Sequence, residues 1–289
     1  MPIIRAFDAL SHGAERPATR RAIGAGLVVA FLSYLVVIEL RRQGLLPPGL
    51  AERVPTSHFY AVDLAFKLLL LVEVVELVFG LARSVAEALG KQLEILSLIL
   101  LRDAFKELPN FPEPIEWLPE RVDAVLHMLA DVSGALVIFV ILGFYYRAQQ
   151  HRRITASESE QARFVTTKKR IAFGLLVLFV GIGVYDLVRW GMGLPVADFF
   201  ATFYTVLIFA DVLIVLTSLR YASFYAVVFR NSAFAMTTVL IRLALAAPPY
   251  VNAALGIGAA LLALGLTLAY NRFALDIAAE EPEEALDPV

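Results

Sequence analysis

Blocks of apolar residues, each about as long as a bilayer is thick, recur along the whole chain. A helix needs roughly 20 apolar residues to cross a hydrocarbon core of about 30 Å. Of the 289 residues, 59% are hydrophobic and 18% are charged. An average soluble domain is about 45–50% apolar and about 25% charged. The blocks therefore predict an all-α integral membrane protein.

About eight blocks are long enough to span the membrane, and we call these predicted spans TM1 to TM8. They cover residues 22–40, 59–81, 85–108, 119–146, 171–190, 198–219, 225–245 and 251–270. TM3 is the least apolar of the eight. TM1 follows a polar segment with several arginines and lacks a clear small-residue cleavage site, so we interpret it as an uncleaved anchor.

The second half of the chain aligns with the first, span by span. TM1 and TM5 share a basic entry and a Gly-Leu-Pro type of exit, TM3 and TM7 place Arg102 opposite Arg242, and TM4 and TM8 place Asp123 opposite Asn252. Because four helices is an even number, both halves have the same orientation, unlike the halves of inverted-repeat transporters. We predict two parallel four-helix pseudo-repeats, at 22–147 and 171–272.

Three polar segments flank the predicted repeats. Residues 1–21 are predicted to be a cytoplasmic N-terminal segment, 148–170 a basic cytoplasmic connector, and 273–289 an acidic, disordered tail. Lys and Arg concentrate on the cytoplasmic side of membrane proteins. With the N-terminus inside, the inner segments hold sixteen Lys and Arg residues and the outer segments eight. This bias predicts a plasma (inner) membrane protein with both termini in the cytoplasm.

Composition also disfavours several kinds of partner and chemistry. The net charge of −2 argues against a nucleic-acid partner. The absence of cysteine excludes disulfides and iron–sulfur clusters, and the few histidines are not paired within spans as a haem would need. We expect no cofactor. Catalysis is disfavoured because Ser97 and Ser133 have no histidine at a matching depth, although a lipid-modifying enzyme stays open.

Ionisable side chains inside predicted spans are costly and by default indicate function. Asp123, His127 and Asp131 are spaced i, i+4, i+8 on TM4, so they share one helix face. The charged side chains expected at a similar depth on TM2 and TM3 are Asp63, Lys67, Arg102 and Asp103. Together these groups predict a hydrated polar cavity that opens to the outside. A metal ion on the TM4 stripe is the weaker interpretation.

A second acidic cluster is predicted below the first. Glu73 and Glu76 lie on the inner half of TM2, and Glu94 lies at a comparable depth on TM3. The second half of the chain has few such groups, chiefly Asp211 and Arg242, which we assign to the same charge network. We therefore interpret the first half as the site and the second half as its scaffold.

The charges indicate a channel or transporter for protons or small cations. The ion pathway is predicted to use Glu73, Glu76, Glu94, Asp131, His127 and Asp123. The alternative is a non-catalytic membrane scaffold or assembly subunit, in which the charges neutralise one another and fix helix packing. The expected partners are the lipid bilayer and a proton or small cation, with a second copy of the chain or another membrane protein left open.

Overall fold

The computed structural model describes residues 2–81, 85–149, 158–195, 198–218 and 225–280, and in this part of the chain it is helical with no strand. The α-helices are α1 (Pro2–Glu15), α2 (Pro17–Arg42), α3 (Pro48–Ala51), α4 (Phe59–Gly80), α5 (Val85–Asp103), α6 (Val122–Ala148), α7 (Glu158–Gly191), α8 (Phe199–Ser218), α9 (Tyr225–Ala246) and α10 (Val251–Glu280). Two 3-10 helices, Ala104–Asn110 and Pro119–Arg121, join α5 to α6. The prediction of an all-α membrane protein is confirmed.

Six helices are long and apolar enough to cross a membrane. These candidate spans are Pro17–Arg42, Pro119–Ala148, Val165–Gly191, Phe199–Thr217, Val228–Ala246 and Val251–Arg272. The predicted spans TM2 and TM3 are also helices, α4 and α5, but each carries at least four charged residues. Each of the six spans contains a stretch of 18 residues with at most two charged residues, whereas α4 and α5 contain no such stretch.

Helices α2 and α7 end in the same way. Each is followed by a glycine with φ 72°, Gly44 after α2 and Gly193 after α7, a backbone conformation that favours glycine because it has no Cβ. The backbone N–H of the next residue donates a hydrogen bond to the carbonyl oxygen five residues earlier. Leu45 donates to Leu40 and Leu194 donates to Arg189, each with an N···O distance of 2.9 Å. This Schellman arrangement satisfies carbonyls that the helix end would otherwise leave unpaired.

Helix α5 lies at the centre of the bundle. Its Leu89, Leu93 and Leu96 are fully buried in a core shared with α6, α9 and α10. Its opposite face places Ile95 and Ile99 in a second core with α4, α7 and α8. The charged helix α5 is therefore shielded by its neighbours, whereas α2 buries only Ile38 within its span.

Small residues on α10 let helices approach closely inside the bundle. Ala259, Ala260 and Ala263 are fully buried, and a Cβ added at Gly256 would lie 2.8 Å from Ile138 Cδ1. On α6, a Cβ added at Gly134 would lie 2.7 Å from the Cβ of Ala253. The small residues of α10 thus form contacts within the chain.

The polar segments that flank the spans are partly helical. Helix α1 packs against α7, where Asp8 pairs with Lys169 over 2.7 Å and Phe7 is buried beside Phe79. Helix α7 begins at Glu158, inside the segment predicted as connector, and α10 continues to Glu280, inside the predicted tail. Positions 150–157 and 281–289 of these two predicted segments lie outside the described residues.

Candidate functional site

The candidate site lies along the side of α5 that faces the other helices, where charged side chains of α4, α6, α8 and α9 come close together. Its first element is an ion pair between Arg102 of α5 and Glu73 of α4. The Glu73 side chain is 8% exposed and that of Arg102 is 21% exposed. One carboxylate oxygen of Glu73, Oε2, is buried without a hydrogen-bond partner. This oxygen is free to accept a proton or a hydrogen bond.

The three carboxylates of the predicted inner cluster face three different neighbours. Glu76 points toward α2, where Arg20 lies 3.8 Å away in a largely apolar groove. Glu94 points toward α6, where it accepts a hydrogen bond from the Tyr146 hydroxyl (2.6 Å) and pairs with Lys91 (2.8 Å). Glu76 lies one turn from Glu73 on α4 and interacts with it electrostatically. Glu94 is directed to α6 instead, so the three carboxylates do not form one cluster.

The TM4 stripe is buried progressively from one end to the other. Asp123 is exposed, His127 is half-buried with Nδ1 3.3 Å from Glu107, and Asp131 is only 2% exposed. Asp131 accepts a 2.8 Å hydrogen bond from the Asn252 amide of α10. The stripe thus faces the 3-10 helix after α5 and the start of α10.

The other side chains predicted to line the outward-facing cavity lie in two separate places. Asp63 and Lys67 pair over 2.7 Å and line a pocket of about 410 Å³ between α2 and α4. Asp103 pairs with Lys106 on the α5 side. Asp63 and Lys67 therefore lie apart from the TM4 stripe, and the expected single cavity is not formed by these groups.

The second half holds the most deeply buried ion pair. Arg242 of α9 is 0% exposed, and its Nε lies 3.4 Å from Oδ2 of Asp211 on α8, which is 5% exposed. None of the three Arg242 side-chain nitrogens has a hydrogen-bond partner in the described part of the chain. In both ion pairs, an arginine thus meets a carboxylate of the preceding helix: α5 meets α4, and α9 meets α8.

Tyr204 of α8 connects the ion pairs of the two halves. It is 4% exposed, and it lies close enough to Asp103, Arg242 and Glu73 to interact electrostatically with each. Asp103 interacts in the same way with Asp131. We call this set the central line; its members are Glu107, His127, Asp131, Asp103, Arg102, Glu73, Tyr204, Arg242 and Asp211.

The central line ends at a small cavity with a volume of about 50 Å³, lined by five apolar and five polar residues. The polar residues on its walls are Gln92, Lys168, Asp211, Asn231 and Thr238. All five side chains are at most 8% exposed. The sequence pattern predicted Asp211 but not Gln92 or Lys168, because both lie in polar stretches, GKQLE and TTKKR, that do not indicate which helix each side chain faces.

A second polar cluster lies outside the candidate spans, at the end of α2. Glu113 accepts hydrogen bonds from Arg42 (3.2 Å) and from the Phe59 backbone N–H (3.2 Å), and its Oε2 lies 3.0 Å from His58 Nδ1. Burial of the Glu113 carboxyl acts to raise its pKa, but the hydrogen bonds from His58 and Phe59 outweigh burial and hold the pKa below its usual value. The cluster fastens the loop before α6 to α2 and α4.

Neither a metal site nor a relative assigns a function. Among the described residues, no group of three or more His, Asp or Glu side chains is placed to hold a metal ion. Comparison with protein-family models, with curated proteins and with solved structures gives no match. The function therefore has to be argued from the geometry of the central line and its cavity.

Proposed function

We propose that this membrane protein moves protons or small cations across the bilayer along the central line. The observation that carries the proposal is the run of ionisable groups through the middle of the bundle, where each lies within electrostatic range of the next. Intramembrane ionisable residues that face a bundle interior are typical of ion and proton pathways. The buried, unpartnered Oε2 of Glu73 gives this line an oxygen that can take up a proton.

The proposal modifies the route expected from sequence. Glu73, Asp131 and His127 stay on or beside the central line, whereas Glu76 and Glu94 face α2 and α6. The route instead includes Tyr204, Asp211 and Arg242, and it continues into the second half. Protons suit this route better than larger ions, because the cavity at its end has a volume of only about 50 Å³.

The proposal includes eight spans in two parallel halves. At about 1.5 Å per residue, the 22 residues of α4 extend about 33 Å, which is enough to cross the hydrocarbon core. Neighbours shield the charges of α5 from lipid. The matched helix ends at Gly44 and Gly193, and the matched pairs Glu73–Arg102 and Asp211–Arg242, support a duplication.

The proposed setting is the plasma (inner) membrane, with both termini in the cytoplasm. Arg16, Arg20 and Arg21 lie at the start of α2, and Lys168 to Arg170 lie near the start of the span in α7. Both groups are therefore at the same end of the bundle, which we call the basic end. Basic residues at one end support a cytoplasmic location for that end.

Proton flux into proteoliposomes tests the function. The purified chain is reconstituted with a pH-sensitive dye inside, and a potential is applied with valinomycin and K⁺. Liposomes with wild-type protein should acidify faster than empty liposomes. Glu73→Gln should slow the flux at least about tenfold, which corresponds to a rise of about 1.4 kcal/mol in the activation free energy of proton transfer.

The matched control is Asp186→Asn, which removes an intramembrane carboxylate of α7 that lies off the central line. It should conduct like wild type. A flux equal to that of empty liposomes, or one that Glu73→Gln leaves unchanged, would contradict transport along this line.

The scaffold remains the second candidate because the charges are well matched. Glu73, Glu76, Glu94 and Asp211 each lie beside a basic side chain, as expected if the charges fix helix packing. On this alternative the protein copurifies with a stoichiometric membrane partner, conducts no protons, and loses that partner when an ion pair is removed.

A further inference from the structure

The cavity at the end of the central line has walls that require hydrogen-bond donors. Gln92, Asp211 and Asn231 line the cavity. Gln92 Oε1 and Asn231 Oδ1 are buried without hydrogen-bond partners in the described part of the chain, and Asp211 Oδ2 lies 3.4 Å from Arg242 Nε. Their side chains are 2%, 5% and 6% exposed. A buried acceptor that lacks a donor costs about 1–3 kcal/mol. Two of them around one space indicate that the space holds a donor molecule.

The size and charge of the cavity identify that molecule as water. One water needs about 10–15 Å³ of such volume, so 50 Å³ accommodates a few waters and excludes an organic substrate. Lys168 on the wall and Arg242 beside Asp211 would repel a metal cation. The three acceptor oxygens would repel an anion. Water donates to all three acceptors without either conflict.

We propose that this cavity is a hydrated site and that its waters connect the Asp211 carboxylate with the basic end of the bundle. The role of Asp211 as the proton-exchanging group rests on the proposed function, whereas the hydration does not. A hydronium ion of the water cluster transfers its proton to Asp211 Oδ2 and becomes water. Arg242 and Glu73 each interact electrostatically with Tyr204.

The groups that face Asp211 come from two other helices. Arg242 and Thr238 lie on α9 and Lys168 lies on α7, where Lys168 also interacts electrostatically with Glu87. The cavity lies toward the basic end, because Leu81 and Ala88, which flank residues 82–84 between α4 and α5, also line it. On this proposal, water enters the cavity from that end.

Cysteine labelling tests the hydration directly, because the chain has no native cysteine. Ala88→Cys and Ala235→Cys place a thiol on the cavity wall, and Ala135→Cys places one in the apolar core at 5% exposure, similar to the 7% of Ala88. N-ethylmaleimide modification in proteoliposomes is followed by mass spectrometry. We expect labelling at least about tenfold faster at the cavity positions, since only a thiol that meets water ionises to the reactive thiolate.

Flux measurements with Asp211→Asn test the role of that carboxylate. The variant should lose proton flux, Asp211→Glu should restore part of it, and the control Asp186→Asn should conduct like wild type. Gel filtration and circular dichroism of each variant confirm that it folds. Two wall positions are used so that one misfolded cysteine variant does not decide the result.

The outcomes separate the two proposals. Labelling at both wall positions as slow as at Ala135→Cys overturns the hydrated cavity, whatever the flux. Fast labelling with a wild-type flux that Asp211→Asn leaves unchanged overturns the role of Asp211 but not transport. Fast labelling without any wild-type flux overturns the proposed function and the role of Asp211, and the hydrated cavity stands.

Discussion

The two halves of this protein use charge in opposite ways. The first half has many charged side chains, but most pair locally and keep some exposure, as Asp63 does with Lys67 and Glu94 with Lys91. The second half has few, yet Asp211 and Arg242 are the most deeply buried pair in the described part of the chain. The number of charges in a segment is therefore a poor guide to where a buried site lies, because depth depends on the neighbouring helices.

The largest expected effect is on the free energy of unfolding, and it differs between variants of the two paired arginines, Arg242 and Arg102. Arg242→Met leaves Asp211 buried and unpaired, and breaking such a pair costs about 3–5 kcal/mol. Arg102→Met should cost less, because the Arg102 side chain is 21% exposed and water can reach its partner. Unfolding in mixed micelles by SDS titration measures both free energies. Equal losses would remove the difference in depth on which the comparison rests.

The boundary between the halves is sensitive to a single methyl group. Gly134→Ala on α6 would place a Cβ 2.7 Å from that of Ala253 on α10, and overpacking of this kind costs about 1–3 kcal/mol. Gly143→Ala on the same helix meets nothing within 4 Å and should be neutral or stabilising by up to about 1 kcal/mol. The SDS titration midpoint measures both. A tolerated Gly134→Ala would indicate that the halves pack more loosely than the structure shows.

A smaller effect is expected for the hydrogen bond that joins the halves. Asn252→Ala removes the donor to Asp131, and hydrogen bonds between membrane helices contribute about 0.6–1.7 kcal/mol. Thr237→Val is the control, because the hydroxyl of this fully buried residue bonds only to a backbone carbonyl of its own helix, that of Ala233. Its loss of stability should be smaller in the same titration. A larger loss for Thr237→Val than for Asn252→Ala would contradict this prediction.

The smallest effect concerns the surface cluster around Glu113 in the first half. Its lowered pKa means that ionised Glu113 stabilises the fold above about pH 4.5, the usual pKa of Glu, and that this contribution is lost as the pH falls through the lowered value. Glu113→Gln should therefore lower the melting temperature at pH 7, and the difference from wild type should shrink below about pH 4.5. The exposed neighbour Glu116→Gln is the control and should show little difference at either pH. A Glu113→Gln difference that is constant from pH 7 to pH 3 would show that the charge of Glu113 does not contribute.

Several features could be predicted from the sequence because they depend on local chemistry. Membrane spans follow from apolar length, and the ends of α2 and α7 follow from the Gly-Leu signals at Gly44 and Gly193. Asp123, His127 and Asp131, spaced i, i+4, i+8, lie on one helix, and their burial increases along it. These features need no knowledge of which helices are neighbours.

The clusters between helices could not be predicted in the same way. Glu73 and Glu94 were expected at one depth, but Glu73 meets Arg102 and Glu94 meets Tyr146. Helices α4 and α5 pack so that Leu81 lies near Ala88 and Gln92, and Glu73 lies level with Arg102. A helix pair can shift by a turn without any change in hydrophobic pattern, so the sequence does not determine this register.

The amino-acid sequence by itself determined the class of protein, the helices and the places where charge enters an apolar segment, because each depends on residues within a few turns of one another. Only the tertiary structure decided which charges meet, since that depends on helix rotation and register. It placed Gln92 and Asn231 around one cavity with Asp211. It also placed the most deeply buried ion pair of the described residues, Asp211 with Arg242, in the second half, where charges are few.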